Sequence, residues 1–262
     1  MMHLVAVVLL FASVDSRAES FDHSLFDRVL NTYVDAYGRV GYTTLKANRS
    51  ELDDYIAELE AVSPKSHPAR FSVRDEALAY WINAYNALTI KGVVDAYPVK
   101  SVKDIKILSG FFNRTWHTVG GESYTLNSIE HDIIRAEFGD PRIHAAINCA
   151  SGGCPRLENR AFIASTLNER LDGAMRSFLN EERNVQIHIE SKTVRLSKIL
   201  SWFEDDFTQW FEQEHRVSDA GILDYVIGYL SPDRSKGVLP SFRVDYFDYD
   251  WSLNGQITDE DR

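Results

Sequence analysis

The sequence predicts an α+β fold: a helix-rich single domain with short, mainly antiparallel strands. Three observations predict it. Apolar residues recur at helical spacing over most of the chain. The β-prone runs are short and come in pairs joined by turn residues. The regular strand–helix alternation of a doubly wound sheet is missing. At 262 residues, 44% hydrophobic and 26% charged, the composition is that of a folded protein rather than a disordered one. No repeat or long linker divides it, so one globular domain is expected over residues 19–255, followed by a short polar, disordered tail at 256–262.

The elements follow in order. Leu4 to Val14 is an apolar stretch too short to span a bilayer, and Ser16-Arg17-Ala18 offers small residues for cleavage, so residues 1–18 read as a signal peptide. Phe21 to Tyr37 carries apolar residues at helical spacing, with Gly38 placed to end the helix. Ser50 with Asp53 opens a second helix to about Ala61. Ser72 with Asp75 opens a third, which stops before Pro98 and is apolar on most sides, as a central helix would be. Gly120-Gly121 sits between two β-prone runs within Trp116 to Leu126, a hairpin signal. A helix from about Asn127 to Glu137 follows, then an alternating run from Arg142 to Asn148 that reads as a strand. Ala150 to Gly153 is a loop, and Pro155 suits the first turn of a short helix through Arg160. A helix over Thr166 to Arg183, a hairpin from Val185–Ile189 and Thr193–Leu196, and helices near Ile199–Phe211 and Ser218–Leu230 complete the series. The run from Tyr246 to Trp251 is too aromatic for a free end and should pack on the body.

Charge narrows the function. The net charge of −11 argues against nucleic acid as partner and, once the signal is cleaved, against a membrane surface. The charge says nothing positive about a ligand; the partner expected of either a thiol enzyme or a binding domain is a small molecule or a peptide. The leader implies export, to a periplasm or the extracellular space. In a eukaryotic secretory route Asn48-Arg49-Ser50 and Asn113-Arg114-Thr115 would be glycosylation sites.

Candidate chemistry concentrates between Arg142 and Pro155. With a strand leading into the Ser151-Gly152-Gly153 loop, Cys154 would cap a helix, where free N–H groups favour a thiolate and can hold an oxyanion. A thiol enzyme needs a base. His131 is the first choice, because Arg135 shares its helix face and would keep it neutral, and His144 is the second. Glu130, adjacent to His131 and therefore diverging from it, would be a charge partner with Arg135. The other reading of Cys149 and Cys154 is a disulfide that pins the loop, as an oxidising compartment permits. A third is zinc on His144, Cys149 and Cys154, with His131 nearby, although the spacing is not a tight zinc pattern. Asn83 and Asn86 share one face of the apolar third helix; they either orient a catalytic histidine or tie a neighbouring loop to the helix.

Together these segments resemble the domain of unknown function 547 family. Trp81, Asn83, Tyr85, Asn86 and Ala87 match its Trp-x-Asn-x-Tyr-Asn-Ala helix. Leu126, Ile129, Glu130 and His131, followed by Arg135, match a second helix. Pro141, Arg142, His144, Cys149, Ser151, Cys154 and Pro155 match its cysteine segment, and Tyr249 to Asn254 is similar to the ending of bacterial members. The resemblance runs from about Phe21 to Asn254 and brings no activity with it. Two functions stand as expectations. One is a thiol-dependent hydrolase or acyl transferase with Cys154 or Cys149 as nucleophile. The other is a non-catalytic binding domain stapled by Cys149–Cys154.

Overall fold

The computed structural model describes residues 19–106 and 110–256. The expected signal peptide at 1–18 lies outside the described residues, as does the expected tail apart from Gln256, whose N–H donates to the Val40 carbonyl. Among the described residues helices dominate, and five short strands form two small sheets, as a helix-rich α+β fold requires.

The N-terminal half packs α1 (Ser24–Tyr33), α2 (Tyr42–Ala47) and α3 (Ser50–Ala61) against the long helix α4 (Arg74–Ala96). Every residue of α4 from Leu78 to Ile90 is buried, so its all-round apolar pattern does mark the centre of the core. Its entry differs from expectation. Glu76, not Asp75, reaches back, and its carboxylate accepts the Val73 N–H at 3.2 Å. At α3 the Ser50 cap does not form, because Arg49 holds the Asp53 carboxylate at 2.7 Å and itself flanks the helix. The first helix ends early, at Tyr33, because Val34 pairs with Val40 and Gly38 serves the turn between them at φ +75°.

After the short α5 (Gly110–Asn113), the expected hairpin forms from β1 (His117–Val119) and β2 (Glu122–Tyr124). Thr125 and Ser128 then cap each other across the start of α6 (Leu126–Ser128). The chain continues as a wide, π-type helix over Ile129–Phe138, closed by Gly139 at φ +57°.

Two expected elements are absent. Arg142 to Asn148 is no strand: Pro141–Ala145 is a 3-10 turn, opened by the Asp140 carboxylate accepting the Arg142 N–H at 3.0 Å. Residues 143–148 are buried on both faces, so the alternation has no solvent side. Nor does a helix follow Pro155; the segment to Phe162 is loop, and Cys154 caps nothing.

The C-terminal half comprises α7 (Leu167–Asn180), β3 (Val185–His188), β4 (Thr193–Leu196), α8 (Lys198–Trp202), α9 (Glu204–His215), α10 (Ile222–Tyr229), α11 (Pro232–Ser235) and β5 (Arg243–Tyr246). β3 and β4 are the expected antiparallel hairpin; β5 was not expected and joins β4 in parallel. The chain then runs back over the N-terminal half, where Ser252 pairs with Ser101, Leu253 with Ser151 and Gly255 with Val40. Two hydrophobic clusters result, one around α4 and one formed by α7 to α10 with the second sheet.

Candidate functional site

A cavity of about 220 Å³ opens where the two clusters meet. The wide helix contributes Glu130 and His131, the 3-10 turn His144, and the following loop both cysteines. Trp202 and Phe203 close one side, and Tyr249 with Trp251 from the returning C-terminal segment closes another. The expected grouping of His131, His144 and the cysteines is therefore a spatial fact.

Cys149 and Cys154 are joined as a disulfide, and the described residues contain no free cysteine. The Tyr249 hydroxyl lies 3.0 Å from the Cys149 sulfur and 3.2 Å from that of Cys154. Burial pushes this phenol up to about 12, so it is a donor at neutral pH. The Cys149 N–H points at the Cys154 sulfur at 3.0 Å. Ser151, Gly152 and Gly153 do not form an oxyanion site. The N–H of Gly152 donates to Ser252 and that of Gly153 to Asp250, and none of the three residues lines the cavity. The thiolate argument based on a helix N-terminus fails for the same structural reason: no helix begins at Cys154.

The histidines exchange roles. Burial, and then the Arg135 charge, holds His131 below its usual pKa, as expected. Yet Arg135 Nη1 donates to His131 Nδ1 at 2.6 Å, so the lone pair is occupied and Nε2 carries the proton. His131 is thus a donor. His144 is the better base. Its Nε2 lies 2.7 Å from Asp206, and Arg135 grips the same carboxylate in a bidentate pair at 2.7 and 2.8 Å. Burial raises the Asp206 pKa, but the bonds from His144 and Arg135 outweigh it and keep the carboxylate ionised. Burial keeps His144 neutral against the pull of Asp206, so Nε2–H donates and Nδ1 holds the lone pair. The ring stacks on Phe203 with centroids 4.0 Å apart.

Glu130 does not diverge from the cavity. A π-type turn holds more residues than an α turn, so consecutive side chains differ less in direction, and Glu130 and His131 both line it. Burial pushes the Glu130 carboxyl up to about 7, against the Tyr85 hydroxyl that donates to it at 3.2 Å.

Asn83 and Asn86 stand apart. Asn83 exchanges two bonds with the Phe162 backbone; Asn86 donates to the Ala146 carbonyl and accepts the Asn148 N–H. Neither lines the cavity. Both tie loops to α4. Among the described residues, no group of three or more His, Cys, Asp or Glu side chains is placed to hold a metal ion, and the two sulfurs proposed as zinc ligands are bonded to each other.

Sequence reasoning missed Asp206 and the role of Tyr249. Asp206 stands in an acidic run, Glu204-Asp205-Asp206, in the first turn of α9, where acidic residues are ordinary. Tyr249 was expected to pack, but nothing local pointed it at the cysteines.

Residues 68–179 match the family described as "Protein of unknown function, DUF547". The likeness to that family is carried by this segment. It holds α4, the wide helix and the cysteine loop, hence Glu130, His131, His144 and the disulfide. Asp206, Phe203 and Tyr249 come from outside the DUF547 match. Neither the curated proteins nor the solved structures provide a match.

Proposed function

We propose that the protein binds a small molecule in this cavity, with the disulfide as part of its wall. The observation that carries the reading is the gathering, from six separate segments, of an elevated carboxyl, two neutral histidines and aromatic side chains around one void. Perturbed titratable groups converging in an aromatic-lined cleft are the usual mark of a ligand site. About 220 Å³ admits one ring-sized group. The ligand would carry a planar apolar part, for Trp202, Tyr249 and Trp251, and a polar atom for Glu130 or the His131 N–H. The disulfide also supports export, since such bonds persist in oxidising compartments.

Trp202 and Trp251 provide the readout. Planar heteroaromatic acids and amides should quench tryptophan fluorescence saturably, and Glu130→Ala should weaken the hits at least about tenfold, the loss expected for a charge-assisted hydrogen bond. Hits indifferent to that change would overturn the reading. The same samples test the thiol hydrolase: turnover of an activated ester that appears only after reduction, and disappears in Cys149→Ser, would put that enzyme in place of the binder.

A further inference from the structure

We infer that Cys149–Cys154 is a thiol–disulfide exchange centre, in which an incoming low-molecular-weight thiol attacks Cys149 and Cys154 leaves. The inference rests on the cavity being a ligand site and names one substrate class for it.

The two sulfurs are not equivalent. Both line the cavity, but Cys149 is half-buried, whereas Cys154 is 3% exposed. Access therefore favours attack at Cys149, and in-line displacement then expels the Cys154 sulfur. Two donors already face that leaving atom, the Cys149 N–H at 3.0 Å and the Tyr249 hydroxyl at 3.2 Å. Hydrogen bonds strengthen as their acceptor becomes an anion, so both stabilise the departing thiolate more than the intact bond. Cys149 also meets hydroxyls, of Ser151 at 2.9 Å and of Tyr249 at 3.0 Å, so what singles out Cys154 as the leaving atom is the fixed backbone N–H aimed at it together with the easier access to Cys149.

A staple is hardly needed at this place. The cysteines are five residues apart, the short end of the range over which a cross-link stabilises. The loop is already pinned, with Gly152 and Gly153 bonded to the C-terminal segment and Arg183 donating to the carbonyls of Gly152 and Cys154. Opening the bond leaves the sulfurs near one another, as a reversible centre requires.

The step balances. A thiolate RS⁻ forms a bond to the Cys149 sulfur, the S–S bond breaks, and its electron pair leaves on Cys154 as thiolate. A second RS⁻ attacks the R sulfur of the mixed disulfide, releasing RSSR and the Cys149 thiolate. Two thiols are oxidised and the protein takes up two electrons; an oxidised small disulfide reverses the sequence. His144, which lines the cavity with a neutral ring, can accept the proton of the entering thiol.

The test uses the full oxidised chain with excess 2-mercaptoethanol, quenched with iodoacetamide at intervals and read by peptide mass spectrometry. The expected transient carries mercaptoethanol on Cys149 and the alkyl group on Cys154. The reverse, or an even split, would overturn the assignment. Tyr249→Phe keeps the ring between Trp202 and Trp251 and should slow the reaction about tenfold at an unchanged melting temperature, the loss of one bond to a charged acceptor. An unchanged rate would overturn the role of Tyr249 and with it the choice of Cys154 as leaving group. Benzyl mercaptan separates this inference from the binding reading. It should react faster than 2-mercaptoethanol if the cavity takes a ring. Equal rates with trapping on Cys149 would refute ring binding and leave the exchange intact; a preference for the aromatic thiol with trapping on Cys154 would do the opposite.

Discussion

Asn83 and Asn86 each spend both ends of an amide on backbone that has no secondary structure of its own. Removing either strands one buried N–H and one buried carbonyl. Asn86→Ala should therefore cost about 3 kcal/mol in denaturant unfolding, at the high end for two buried bonds, while ligand-induced quenching survives in the folded fraction. A stable variant with abolished binding would return Asn86 to the site. Glu130 and His23 give opposite pH dependences. The Glu130 carboxyl is raised to about 7 from an ordinary 4.5, so its contribution is complete below pH 4.5 and lost as pH rises through 7. His23, buried beside the Tyr55 hydroxyl, is lowered to about 4, so its contribution is complete above pH 6.5 and lost as pH falls through 4. Glu130→Gln removes only the first. Relative to the wild type it should gain roughly 2 kcal/mol between pH 5 and pH 8, read from urea melts at each pH. A constant difference between the two proteins would show that Glu130 titrates normally.

At the scale of elements, short polar contacts decide between competing structures. Asp140 and Pro141 turn a strand-like run into a 3-10 turn, and that change carries His144 to Asp206 instead of into a sheet. The β1–β2 hairpin depends on two glycines in the left-handed region, at φ +58° and +82°. They differ in surroundings. A Cβ on Gly120 would lie 2.1 Å from the Ser63 hydroxyl, whereas at Gly121 it would meet nothing within 4 Å. Gly121→Ala should cost about 1 kcal/mol, the conformational penalty alone, and Gly120→Ala at least about 2 kcal/mol, because the Ser63 turn must also move. Equal losses in thermal unfolding would mean that the Ser63 turn yields freely.

For the whole molecule, the C-terminal segment holds the two hydrophobic clusters to one cavity. Tyr249 covers the disulfide, Ser252 and Asp250 accept the loop N–H groups, and buried Asn254 bonds to both Asn148 and the Tyr42 hydroxyl. A chain ending at Phe247 forfeits all of these together. It should lose at least about 3 kcal/mol of stability, and its disulfide should be reduced faster by a bulky thiol that the intact cavity excludes. An unaltered melting temperature would show that the segment only lies on the surface. Among the described residues, no helix is long and apolar enough to cross a membrane.

Helix periodicity, the buried character of α4, both hairpins and the clustering of His131, His144, Cys149 and Cys154 were legible in the sequence. These depend on neighbours within a turn or on motifs met in order along the chain. Local chemistry also implied the inward packing of Tyr246 to Trp251. What the cysteines and histidines do was decided by tertiary structure. His144 meets Asp206 from 62 residues away, and the Cys149 sulfur meets Tyr249 from 100 away. The widening of the helix at Ile129 turns Glu130 toward a cavity that an α-helical spacing would direct it away from. Whether a run such as Arg142 to Asn148 becomes a strand depends on a partner edge that no local pattern specifies. The protonated nitrogen of each histidine likewise depends on the group that folding brings against the other one.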